Sequence, residues 1–490
     1  MNRSLGKRAR LLTRLLSARL LSFAVVAAGL ACGSDVATAA PPNILFIIAD
    51  DASPHFGCYG CRWAKTPNID ALAARGVLFE SAYVPTSKCA PCRAGLLTGR
   101  YPWQLEEAAN HQCTFPPKFA AFTEALAARG FSCGKQGKVW GPGVALTADG
   151  QQRSWGLENK PFQKFLAEAP ANKPFFFWYG SSNPHRTYAR DAGLAAGKKS
   201  SDIDRVPAFW PDTDVVRRDM LDYATEIEAF DREVGELIAD LRKSGRLENT
   251  LVIVTSDHGM PFPRVKGHTF ELAHRVPLVA SWPAGIVHPG RRCDRLVSII
   301  DLAPTFLEIA EVPRDATGMS PITGTSLADV LRDEKLHDRP FVLVGRERND
   351  IQCRPGTPSG LGYPARGIRQ GTWLYVHNFA PDRWPCGDPD VALADTDDSP
   401  TKQLLEQAGP DDRFWQFSFG KRPADELYDV GADPDCVTNL AAVPAHAADL
   451  ERLRDTLMAE LRRQEDPRVV GDGDIFDRYV SPAKPRPRKR

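Results

Sequence analysis

Residues 43–51 read NILFIIADD, a nearly unbroken apolar run, β-branched in part, that closes on two adjacent carboxylates, Asp50 and Asp51. Two further stretches repeat the design. TLVIVTSDHG (250–259) ends at Asp257 and His258, and PFFFWYGSSNPH (174–185) ends at His185. Runs without polar alternation suit strands buried on both faces, as in a parallel sheet covered by helices. The segments between them fit that layout. Ile227, Phe230, Val234, Leu237, Ile238 and Leu241 recur at helical spacing, with Gly245 placed to stop the helix before the strand at Thr250. Thr66-Pro67 starts a shorter helix through Leu72, which Gly76 is expected to end. Alternating strands and helices predict a doubly wound α/β domain, whose ligands bind at the carboxyl ends of the strands.

Asp50, Asp51, Asp257, His258 and His185 would converge on that edge. A lone strand-end Asp is usually a turn or cap residue. Three carboxylates gathered without a cation would repel one another. A divalent metal resolves the conflict, and oxygen-rich ligands favour Ca²⁺, with Mg²⁺ as the alternative; the nitrogen of His258 widens the choice.

A second stretch, SKCAPCRAGLLTGR (87–100), has three readings. Cys89 and Cys92 form a C-x-x-C pair of the redox type. With Cys58 and Cys61 they make four sulfurs for zinc, although the gap between the pairs exceeds the usual ribbon spacing. Thirdly, Cys89-Ala90-Pro91-Cys92-Arg93, followed by Thr98-Gly99-Arg100, resembles the signature C-x-P-x-R…T-G-R of the formylglycine-dependent (type I) sulfatases. The resemblance extends along the chain through IADD (48–51), TPNIDALAARGVLFESAY (66–83), GKVW (137–140), SDHG (256–259), IDLAPTFLEIA (300–310) and ELYDVGADPDCVTNLA (426–441). TSDHGMPFPR and NPHRTY are most similar to the sulfamidase branch, the heparan N-sulfatases.

The resemblance implies an alkaline-phosphatase-like sulfatase fold: a large, mostly parallel sheet flanked by helices (42–335), then a smaller C-terminal subdomain with an antiparallel sheet (336–475). It implies hydrolysis of a sulfuric ester or sulfamate on a sulfated sugar or polysaccharide. Cys89 would be converted to formylglycine by a maturation enzyme. The hydrated aldehyde supplies one hydroxyl to attack sulfur and a second to expel sulfate. By the same resemblance Asp50, Asp51, Cys89, Asp257 and His258 hold the metal, Arg93 holds the diol, Lys138 and Lys266 bind sulfate, and His185 contacts sulfate or protonates the leaving group. The pattern is departed from in two places. Trp140 and Gly141 stand where many relatives place a histidine after the lysine, so that one anion contact is either missing or supplied by another residue such as His268, and Cys92 stands where Ser is commoner. Arg346 and Arg348 are further residues expected to reach substrate from the C-terminal loops.

The termini and composition frame this reading. Arg3, Lys7, Arg8, Arg10, Arg14 and Arg19 precede LLSFAVVAAGLAC (20–32), and Ala37-Thr38-Ala39 offers a cleavage site. That is a signal peptide (1–40) rather than a spanning helix, so the expected location is secreted or periplasmic. Ten cysteines then remain in the mature chain, and an oxidising compartment predicts that some pair. With 62 basic and 61 acidic residues, no global field points to nucleic acid or to a membrane surface. Residues 476–490 read as a basic, disordered tail. The rivals are a phosphate monoester or diester hydrolase on the same scaffold and an inactive sulfated-glycan-binding protein.

Overall fold

The computed structural model describes residues 41–333 and 339–483. The expected signal peptide, the 335/336 boundary and the tail beyond 483 lie outside the described residues. Among those residues the large sheet has nine strands. The principal ones are β1 (Asn43–Ala49), β2 (Val77–Tyr83), β3 (Ser132–Gly137), β4 (Phe175–Gly180), β5 (Thr250–Ser256), β6 (Leu278–Ser281) and β7 (Arg291–Ser298). They lie in the order β7-β2-β6-β5-β1-β4-β3, with Glu158–Asn159 continuing beyond β3 and Arg275–Val276 paired to β2. β1 is parallel to both neighbours, and β6 runs antiparallel to β2 and β5.

The apolar run of β1 follows from its central place. Ile44, Phe46 and Ile48 enter one core, where Phe46 meets Trp178 edge-on at 4.7 Å and Phe306 at 5.5 Å. Leu45, Ile47 and Ala49 enter the other core, beneath a long helix. From Ile44 to Ala49 no position is left for water and none is polar; the half-buried Asn43 opens the strand. Each fully buried side chain of this size contributes about 1.5–3 kcal/mol.

Five helices position the rest: α1 (Pro67–Ala73), α2 (Cys89–Thr98), α3 (Asp214–Lys243), α4 (Leu302–Ile309) and α5 (Ala447–Arg463). In α3 the Thr213 hydroxyl accepts from the Val216 amide and caps the first turn. The stripe Ile227, Phe230, Val234, Leu237, Ile238 and Leu241 is buried against the sheet. Gly245, at φ +73°, follows the helix and donates to the Arg242 carbonyl. Gly76 serves a purpose the sequence did not show. α1 ends before it, and a Cβ there would lie 1.9 Å from the Ala280 carbonyl oxygen, so glycine permits close passage beside β6.

The second sheet is antiparallel throughout, in the order β8 (Val342–Arg346), β9 (Ala365–Gln370), β10 (Trp373–Asn378), β11 (Asp425–Asp429). Leu453, Leu457 and Leu461 of α5 pack on it beside Ile368, Tyr375 and Leu427. The disordered tail expected from residue 476 is corrected at its start. Ile475–Arg478 form a helical turn, Phe476 is buried, and Asp477 accepts from the Gly362 amide at 2.7 Å. Among the described residues no helix is long and apolar enough to cross a membrane.

Candidate active site

The carboxyl ends of the parallel strands carry the chemistry. Asp50 and Asp51 follow β1, Asp257 and His258 follow β5, Lys138 follows β3, and His185 follows β4. The β1 and β5 ends are tied together. The Asp51 amide donates to Asp257 Oδ1 at 3.1 Å and the Ala52 amide to Ser256 Oγ at 2.7 Å, holding Asp51 at φ +77°. Few residues other than Gly, Asn and Asp adopt that conformation readily.

Cys89 is the first residue of α2, where the free amides of the opening turn and the helix dipole favour negative charge. Its Sγ lies 3.3 Å from His258 Nε2. One turn further, the fully buried Arg93 spreads its guanidinium across three elements. Nε donates to Asp257 Oδ2 at 2.8 Å, Nη1 to the Lys138 carbonyl at 2.9 Å, and Nη2 to Asp50 Oδ1 at 3.4 Å. Lys138 Nζ donates to both Asp50 oxygens, at 2.8 and 3.1 Å. Lys266 Nζ donates to Asp51 Oδ2 at 2.7 Å and to Asp397 Oδ2 at 2.6 Å, and lies 3.2 Å from His185 Nε2.

The electrostatics follow from burial of many charges in one place. Burial opposes ionisation of Cys89, but Lys138, Lys266 and His258 outweigh it and hold the thiol well below its ordinary range. Burial also opposes charge on His258, yet Asp257 and Asp51 raise it to about 9. Asp51 raises His185, against burial. Burial, overcome chiefly by Asp397 and Asp51, leaves Lys266 well above the usual lysine value.

Ligand atoms of Asp50, Asp51, Cys89 and His258 lie within 4.8 Å of one another. Asp51 Oδ1 is buried and accepts no hydrogen bond, although His258 Nε2 is only 3.0 Å away. His258 Nδ1 sits 3.0 Å from the Gly259 carbonyl and donates to it, which turns Nε2 toward the carboxylates. Two carboxylates, a thiol and an imidazole nitrogen gathered this closely fit a divalent cation, which would take the place of the His258 Nε2 proton.

Cys89, Lys138, Trp140, His185 and Lys266 line a cavity of about 750 Å³. Asp350 and Asp397, both from the C-terminal segment, complete its wall and had not been singled out in the sequence. Asp350 pairs with Lys88 at 2.7 Å. Arg346 and Arg348 do not reach the cavity. Arg346 is buried on Asp395 at 2.8 Å, and Arg348 donates to the Tyr479 carbonyl at 2.9 Å. His268 is also elsewhere, buried and stacked 5.9 Å from Phe270, so it does not replace the missing histidine. The zinc grouping is not formed, because Cys61 borders a different cavity, beside His55. All ten cysteines among the described residues are free thiols, contrary to the expected pairing; Cys92, Cys113 and Cys293 are taken up by an apolar core.

Comparison with known proteins gives a concordant picture. A family model described as Sulfatase matches residues 42–148 and 158–312. N-sulphoglucosamine sulphohydrolase of Homo sapiens is 29% identical, over 91% of this chain and 94% of that protein. Among solved structures, the putative sulfatase yidJ from Bacteroides fragilis aligns with a TM-score of 0.63 at 18% identity, over 88% of this chain and 97% of that one. A protein solved with its substrate, D-glucosamine-2-N,6-O-disulfate, aligns with a TM-score of 0.61 at 19% identity, over 88% and 100%.

Proposed function

The chain belongs to the sulfatase family and is a sulfuric ester hydrolase, and from that premise we propose that it desulfates an amino sugar, through a formylglycine at position 89. The observation that carries the assignment is the position of Cys89. It heads α2 against His258, Asp50 and Asp51, with Lys138 and Lys266 flanking the same carboxylates. The amino-sugar part rests on the human relative's name and on the disulfated glucosamine held by the structural neighbour.

Asp50, Asp51, Asp257, His258 and position 89 would hold a divalent cation, Ca²⁺ in this reading, which supplies Lewis acidity at the sulfate oxygens. The protein's own groups do the rest. Arg93 fixes Asp257 and Asp50 and stands one turn from position 89. Lys138 and Lys266 present ammonium groups to the sulfate, and His185, at the cavity wall beside Lys266, is placed to protonate the departing oxygen or nitrogen. The segment 336–475 acts as a substrate-facing subdomain through Asp350 and Asp397. Export, and maturation by a formylglycine-generating enzyme acting on the unfolded chain, complete the proposal.

Mass analysis of the peptide Ser87–Arg100 from protein made in its own host tests it, together with sulfate release from sulfated glucosamine by the parent and by Cys89→Ala. A carbonyl at position 89 and loss of turnover in the variant are expected. An unmodified thiol in fully active enzyme refutes the proposal, as does glycan binding without any turnover by modified protein.

A further inference from the structure

Lys138 and Trp140 border two cavities. One is the catalytic cavity. The other, about 380 Å³, lies between the end of β3 and residues 152–159. Its floor is aromatic: Trp140 and Trp155 have ring centroids 6.0 Å apart, and Phe115 stands edge-on to both, at 5.6 and 4.9 Å. Arg153 stacks over Trp155 at 4.5 Å, and the exposed Gln152 and Asn159 stand on the rim.

Three polar groups at or beside this cavity are left without a partner by the fold. Lys135 lines it because Gln136, the next residue on β3, turns the other way and accepts from the Phe162 amide at 3.1 Å. Among the described residues, Lys135 pairs with no carboxylate. Trp140 Nε1 and Arg153 Nη1, both buried, have no hydrogen-bond partner. An aromatic floor with polar side chains, Gln152, Asn159 and Lys135, at its edge suits a pyranose ring, which has an apolar C–H face and a polar rim. The uncompensated charge of Lys135 suits an anion on that ring.

We propose that this cavity is a second sugar subsite, which takes an anionic monosaccharide unit joined to the one whose sulfate is removed. Trp140 is the shared wall: one side faces the catalytic cavity and the other carries the neighbouring ring. The inference rests on the sulfatase reading only for the identity of the first sugar.

The test is calorimetric titration of the full chain, as Cys89→Ala, with sulfated glucosamine and with disaccharides that add one neighbour to it. The neighbours are an uncharged hexose, a uronic acid and a sulfated hexose. One charge-assisted contact predicts about tenfold tighter binding for at least one anionic disaccharide than for the monosaccharide. The tighter of the two identifies the anion as carboxylate or sulfate. Adding Lys135→Ala should remove that gain and leave the monosaccharide affinity unchanged. Equal affinity for all four ligands overturns the proposal, as does a gain that survives Lys135→Ala combined with Asn159→Ala. Failure of the sulfatase reading would show separately, as an absence of sulfate release by the parent enzyme from any of the four.

Discussion

Arg93→Ala is the perturbation that most directly tests how the site is held. The guanidinium is fully buried and reaches Asp257, Asp50 and the Lys138 carbonyl at 2.8, 3.4 and 2.9 Å. Removing it leaves two buried carboxylates without that partner, and breaking a buried pair in this way costs about 3–5 kcal/mol. At about 2.1 cal/mol/K per residue, a unit spanning 41–490 has an unfolding entropy of roughly 0.9 kcal/mol/K, so Tm should fall by about 3–5 °C. The same change loosens Asp257 and Asp50 beside position 89 and should lower kcat/KM by about 10²–10³, the range for removing a charge-stabilising donor. Arg93→Lys restores the charge but only one of the three directions, so it should recover Tm more than activity. The assays are scanning calorimetry and initial rates of sulfate release, run on the three proteins side by side. An Arg93→Ala enzyme whose Tm drops while kcat/KM stays within about threefold of the parent would falsify the catalytic part of the argument and leave Arg93 a structural residue.

Metal removal gives a second expectation. Chelation should abolish sulfate release and lower Tm by about 3 °C, the effect of losing a ligand present at 100 times its Kd, with recovery on adding Ca²⁺; an unchanged Tm and rate after exhaustive chelation contradict the cation site. A third concerns acid stability. Burial lowers His274 from 6.5 to about 4, only partly offset by the hydrogen bond to the Val84 carbonyl, so the unfolded chain takes up a proton that the folded one refuses. Its contribution is full above pH 6.5 and is lost as pH falls toward 4, which amounts to about 2 kcal/mol between pH 7 and pH 5. Urea titrations at both pH values should show His274→Gln losing less stability over this interval than the parent, and equal losses would rule the cause out. Buried His55, also lowered to about 4, acts in the same direction.

The legible parts of this protein were those governed by local pattern. The apolar runs of β1 and β5 announced strands covered on both faces, and their last residues had to lie together at one sheet edge because parallel strands end on the same side. The stripe of α3 and the leucines of α5 were equally plain, because each faces a single core. The residues misplaced or missed sit at a strand end or in loops. Arg346 and Arg348 looked available for substrate, but a buried carboxylate and a carbonyl claim them. Asp397 gave no signal, since nothing local says that residues following β10 return to Lys266. Gly76 read as a helix stop, whereas the passing Ala280 carbonyl requires it.

By itself, then, the sequence determined which residue types carry the chemistry and on which edge of a doubly wound sheet they gather, because side-chain period and strand direction are local properties of the chain. Only the tertiary structure decided which ions meet, that Asp51 and Asp397 share Lys266 and that Trp140 divides two cavities. Such pairings join segments far apart in the chain. They are settled by how the two sheets and their loops pack and by the need of every buried charge for a partner.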